Sequence, residues 1–115
     1  MPDEQAVPDA RQAQRQQLQQ TFGDFYMFFV DLLATYDPIG LIKMGAPKDE
    51  YDIEADAILL RIHEAQSARD LGAIIYEEFV RCFSLPPHKP QVQYLGVAQD
   101  AWRAYQRWLS EQQRV

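Results

Sequence analysis

The chain has 115 residues, 47% apolar and 24% charged, the make-up of one globular domain and not of a disordered or fibrous segment. Seventeen acids against eleven bases leave a net charge of −6, which argues against direct nucleic-acid binding, because phosphate contacts need a basic face. A single cysteine, Cys82, rules out an internal disulfide and a cysteine-based zinc site.

No apolar run approaches the length of a membrane span, and Met1-Pro2-Asp3-Glu4 is acidic where a signal peptide is basic. The expectation is a cytoplasmic protein without membrane contact. Residues 1–17 read as a polar, glutamine-rich lead-in, helical or frayed, and residues 18–115 as a single helical domain.

The first predicted helix runs from about Asp9 to Tyr36. Leu18, Phe22, Phe25, Phe29, Leu32 or Leu33, and Tyr36 recur every three or four residues, the stripe of an amphipathic helix. Tyr26, Met27, Phe28 and Val30 widen that stripe and predict a central position. Gly23 predicts close packing or a bend. Asp37-Pro38 ends the helix, since the residue before proline is driven out of the α region. The following segment to Lys48 holds two prolines and two glycines but also Ile39, Leu41, Ile42 and Met44, which predicts an ordered loop folded onto the core.

A second helix is expected from Lys48 or Asp49, with Tyr51, Ala55, Ile58, Leu59, Ile62 and Ala65 inward and acids in its first turns, as the helix dipole favours. Ser67 followed by Asp70 approximates a capping box for a third helix, which buries Leu71, Ile74, Ile75, Phe79, Cys82 and Phe83. The prolines at 86, 87 and 90 form a stiff turn. A last helix covers Gln91 to Gln113 with Ala98, Ala101, Trp102, Tyr105, Trp108 and Leu109 inward. Trp102, Tyr105 and Trp108 either cover the core or form a homodimer seam. No segment alternates for long enough to make a strand. The expected fold is all-α, a compact four-helix bundle with a long aromatic-rich first helix.

The charge is uneven. Residues 24–78 carry twelve acids against four bases, net −8, whereas residues 79–115 are net +3. Five acids fall between residues 49 and 56: Asp49, Glu50, Asp52, Glu54 and Asp56. Asp49, Asp52 and Asp56 share a helical face, so they converge on a divalent cation, form a solvated helix start, or present a docking surface. An EF-hand is excluded, because its sixth position is Ala57 and its twelfth His63. His63-Glu64 lacks the second histidine of a zinc protease, Ser67 standing in its place. Cys82, on an apolar stripe, reads as a small hydrophobe. Neither a phosphate loop nor a nucleophile elbow occurs. No catalytic residue, metal or cofactor is expected.

Tyr36-Asp37-Pro38-Ile39-Gly40-Leu41, then Gly45-Ala46-Pro47-Lys48-Asp49-Glu50-Tyr51-Asp52-Ile53-Glu54, resembles the signature of a family of small bacterial all-helical domains whose activity is not established. Val97-Ala98-Gln99-Asp100-Ala101-Trp102 looks like that family's last helix. The resemblance spans about residues 22–110. It departs at Tyr36, where tryptophan is common, and in the extra glutamine-rich lead-in. It implies the helical fold, and related small domains occur among suspected immunity proteins of toxin systems.

Within that loop, Asp37 is expected to accept hydrogen bonds from the turn's own amides. The Tyr51 ring is expected to lie on Ile39 and Leu41 with its hydroxyl reaching solvent. Together these readings predict a non-enzymatic bacterial protein-binding domain of immunity or inhibitor type. Asp49, Glu50, Tyr51, Asp52 and Asp56, with Ile39 and Leu41, would contact a basic protein partner. The alternatives are a phage-type inhibitor mimicking nucleic-acid charge and a divalent-metal-dependent hydrolase.

Overall fold

Gly23 divides the first predicted helix in two. Its backbone stands at φ 56°, ψ −129°, a left-handed setting that costs a residue with a Cβ more than it costs glycine. The computed structural model describes residues 10–83 and 94–113. Helix α1 spans Ala10–Phe22 and α2 spans Asp24–Tyr36. The chain therefore has five α-helices among the described residues instead of four, and the long first helix is a hinged pair.

Beyond α2, Asp37 adopts a left-handed cap at φ 48° and donates its N–H to the Leu33 carbonyl at 2.8 Å. The loop from 37 to 47 is stitched by its own backbone: Met44 N–H reaches the Gly40 and Leu41 carbonyls, and Ala46 N–H that of Leu41. Ile39, Leu41 and Ile42 pack on the core, while Met44 is left exposed. The order predicted for this loop is present.

A 3₁₀ turn at Lys48–Tyr51 leads into α3, Asp52–Arg61, and a second 3₁₀ turn covers Ile62–Glu64. All six predicted inward residues of this stretch are buried, with Ala55 and Ile58 fully so. Helix α4, Ala68–Phe83, begins as the sequence foretells. Asp70 N–H donates to Ser67 Oγ at 3.0 Å, but the Asp70 carboxylate receives the Gln66 N–H instead of that of Ser67. Helix α5 spans Leu95–Gln112. The predicted proline turn and the first residues of the predicted last helix lie outside the described residues, as do residues 1–9.

Two aromatic groups hold the helices together. Phe22 and Phe25 meet Trp108 and Tyr105 of α5 at 5.1 and 5.7 Å between ring centres, so α1, α2 and α5 share one cluster. Tyr51, Phe79 and Tyr94 form the other, at 5.6 and 5.4 Å, joining the first 3₁₀ turn, α4 and the residue before α5. Each such ring contributes about 1.5–3 kcal/mol of burial plus a smaller gain from tilted ring packing.

Helix α2 is less central than its sequence predicts. Phe29 and Leu33 are fully buried, whereas Met27 and Phe28 face outward at 55% and 42% exposure. Tyr36, expected inward, is also exposed. Its ring lies on Gly96, so close that a methyl group there would come within 2.9 Å, and its hydroxyl donates to the Asp100 carboxylate at 2.6 Å. No helix among the described residues is long and apolar enough to cross a membrane.

Candidate functional site

The five acids between 49 and 56 do not act as one surface. Asp49 and Glu50, in the 3₁₀ turn, are exposed, and Asp52 is half-buried. Glu54 and Asp56 point inward at 5% and 2% exposure. Asp56 accepts a hydrogen bond from Tyr26 Oη at 2.8 Å and from Arg15 Nε at 2.9 Å. It is thereby the bolt that fastens α1 and α2 to α3. Helical spacing did place Asp52 and Asp56 one turn apart, but the bundle turned Asp56 into the core and left Asp52 at its rim.

Tyr51 is likewise internal, at 1% exposure. Its hydroxyl does not reach solvent: it donates to Asp37 Oδ1 at 2.5 Å and accepts the N–H groups of Leu41 and Ile39 at 3.3 and 3.4 Å. Asp37 also takes the amides of Ile42 and Lys43 at 3.1 and 2.9 Å. Burial alone would raise the Asp37 pKa, but the Tyr51 hydroxyl and the loop amides outweigh it and hold the carboxyl below its ordinary value. Burial, followed by the Asp37 hydrogen bond, pushes the Tyr51 hydroxyl up to about 12. Asp37 thus receives the turn amides as expected, while Tyr51, Ile39 and Leu41 form the interior and shoulder of a rigid loop.

What remains outside is a smaller acidic face. Asp49, Glu50 and Asp31 are exposed and make no ion pair among the described residues. Burial first, and then the charges of Asp49, Asp56 and Asp31, raise the Asp52 pKa against the opposing pull of Arg15. Asp31, on α2, therefore belongs to this face. Its approach to α3 is a tertiary fact that no local spacing signals.

Glu54 is a buried acid of a different kind. One of its carboxylate oxygens, Oε1, is buried without a hydrogen-bond partner, and burial raises its pKa. The Cys82 thiol faces it, and burial together with the Glu54 charge keeps that thiol protonated, with a raised pKa. A carboxyl whose folded pKa is raised stabilises the fold below its unfolded pKa and loses that contribution as pH climbs through the folded one. Glu54→Gln is accordingly expected to stabilise the protein by about 1 kcal/mol at neutral pH, because it replaces an ionisable carboxyl, disfavoured by burial, with a neutral side chain of the same shape. In urea titrations the gain should vanish below a pH of about 4, where both side chains are neutral.

A network on the far side of α3 is structural. Arg61 reaches Glu78 and Glu77 at 2.9 Å and Glu64 at 3.3 Å, and Arg81 also pairs with Glu78. Burial pushes the Glu78 carboxyl up, yet Arg81 and Arg61 together bring it below its ordinary value. Nowhere among the described residues do three histidine, cysteine or acidic groups converge to hold a metal ion, so Asp49, Asp52 and Asp56 do not form the cation site that their spacing allowed.

An open groove of about 460 Å³ lies between α2 and α5. Phe25, Phe28, Leu32, Ala104 and Trp108 supply its apolar surface, and Asp24, Asp100, Arg103, Arg107 and Glu111 its rim. It carries no nucleophile. Sequence reasoning missed it, although Phe28, lying off the predicted stripe, was a signal. Comparison of the chain with protein-family models, curated proteins and solved structures returns no match.

Proposed function

We propose that the chain is a non-enzymatic protein-binding domain, of immunity or inhibitor type, whose acidic face of Asp31, Asp49, Glu50 and Asp52 captures a basic protein. The observation that carries this reading is how the carboxylates are divided. Asp37, Asp56 and Glu78 are committed to hydrogen bonds and ion pairs inside the fold, whereas Asp31, Asp49 and Glu50 stand exposed without an internal cation among the described residues. Charges that the fold does not use are free to steer a partner, raising the association rate more than the intrinsic affinity. The rigid loop at Ile39 and Leu41, locked by Tyr51 and Asp37, keeps the adjoining surface preorganised.

Affinity capture from source-cell lysate tests it, with the wild type set beside the Asp31→Lys, Asp49→Lys, Glu50→Lys triple variant. The expected result is a basic protein retained by the wild type, eluted by moderate salt, and lost at least about tenfold with the triple variant. An identical set of captured proteins with both baits would sink the proposal. A captured protein that duplex DNA displaces would identify the chain as a mimic of nucleic-acid charge.

A further inference from the structure

Helices α2 and α5 run antiparallel along the groove. Phe25 lies beside Tyr105 and Trp108 at one end, with ring centres 5.7 and 6.3 Å apart, and Tyr36 bonds Asp100 at the other. This alignment sets Asp24 level with Arg107, and Phe28 level with Ala104. The α2 edge presents Asp24, Phe28 and Leu32, four residues apart on one helical face. The α5 edge presents Asp100, Arg103, Arg107 and Glu111.

The two ends differ in how much of their charge is already engaged. Asp100 accepts from Tyr36 and lies 3.7 Å from Arg103. Asp24 and Arg107 line the same groove, yet neither makes an ion pair among the described residues. Beside them Phe28 keeps 42% of its surface in water on the lip of an apolar trough. One face thus offers an aromatic knob and an acid on its α2 edge, a cation and the small Ala104 on its α5 edge, and an apolar trough between them.

A face with both halves of a contact on opposite edges is complementary to itself under one rotation. Turning a second copy about an axis parallel to the groove lays the α2 edge of each molecule on the α5 edge of the other, at the same level. An isologous contact of this kind repeats every pairing twice. Rotation about an axis across the groove instead sets Arg103 and Arg107 against themselves, which like-charge repulsion opposes.

We infer that two copies of the chain associate through the α2–α5 groove, Phe28 and Asp24 of each seated on Ala104 and Arg107 of the other. None of these four residues belongs to the proposed acidic face, so the inference does not depend on the proposed function.

Sedimentation equilibrium on the purified chain, with circular dichroism to show that each variant is folded, tests it. The wild type is expected to dimerise reversibly at concentrations up to about 1 mM, the weak end of specific association. Asp24→Arg and Arg107→Asp each create two like-charge contacts and should each weaken the dimer at least about tenfold. Phe28→Asp should do the same by losing the knob. Mixing the Asp24→Arg and Arg107→Asp chains restores opposite charges in both contacts, so a mass-tagged heterodimer should form where neither variant self-associates. A monomeric wild type up to that concentration overturns the inference. So does a mixture of the two folded charge variants that stays monomeric, since that would show that Asp24 and Arg107 never meet across copies.

Discussion

Asp56→Ala is expected to destabilise the protein by about 2–3 kcal/mol, the range for removing the acceptor of buried, charge-assisted hydrogen bonds. Asp56 is 2% exposed and holds the Tyr26 hydroxyl, itself on a buried residue, and the Arg15 guanidinium. Its loss leaves the hydroxyl unsatisfied in the interior, where the penalty is largest. Arg15, with 30% of its side chain in solvent, recovers part of its share by rehydration, which keeps the total below that for breaking a fully buried pair.

The damage should not be uniform. Asp56 is the main polar tie between α3 and α1, so hydrogen exchange across Ala10–Phe22 should accelerate more than across α4. Asp56→Asn keeps an acceptor for Tyr26 and should cost less, while Tyr26→Phe combined with Asp56→Ala should fall short of additivity. A midpoint for Asp56→Ala in urea within about 0.5 kcal/mol of the wild type, the ordinary range for surface substitutions, would refute this role.

The same carboxylate shows where sequence reasoning stops. Periodicity placed nearly every buried aliphatic residue of α3 and α4, because burial of a stripe follows from helical geometry alone. The Ser67 cap and the Asp37 turn were legible too, since both are made by residues within a few positions of each other. Periodicity could not say whether the acids of residues 49–56 faced water. Asp56 lies where its helix meets Tyr26 and Arg15, 30 and 41 residues earlier, and only the packed bundle brings those together. The break at Gly23 was legible as a cost but not as a left-handed backbone, which depends on where Phe22 and Phe25 must each dock. The α2–α5 groove belongs to the same class. It is made by two helices some seventy residues apart, and its edges carry no local motif.

Tyr51→Phe is the second substitution with a large expected effect, about 2 kcal/mol. The ring stays in place between Phe79 and the loop, so the loss isolates one oxygen. That oxygen serves three partners: it donates to Asp37 and accepts the amides of Ile39 and Leu41. Without it the Asp37 carboxylate loses the partner that contributes most to its lowered pKa, and two loop amides lose an acceptor. Protection of the Ile39 and Leu41 amides from hydrogen exchange should fall with the global stability or below it, marking an opening confined to the loop.

The pH dependence separates this account from a simple packing defect. Tyr51 is raised from 10.0 to about 12, so its contribution is complete below its unfolded value and disappears as pH rises through about 12. Asp37 is lowered, so its contribution is present above its unfolded value and disappears as pH falls through the folded one. Wild-type loop stability should therefore form a plateau across neutral pH with a loss at each end. In Tyr51→Phe the alkaline loss should vanish and the acid loss shrink. Asp37→Asn, which tolerates the left-handed backbone at that position, should abolish the acid loss and leave a smaller alkaline one. If Tyr51→Phe lowers stability by the same amount at every pH, the hydroxyl is not coupled to Asp37, and the loop owes its order to Ile39, Leu41 and Ile42 packing on the core.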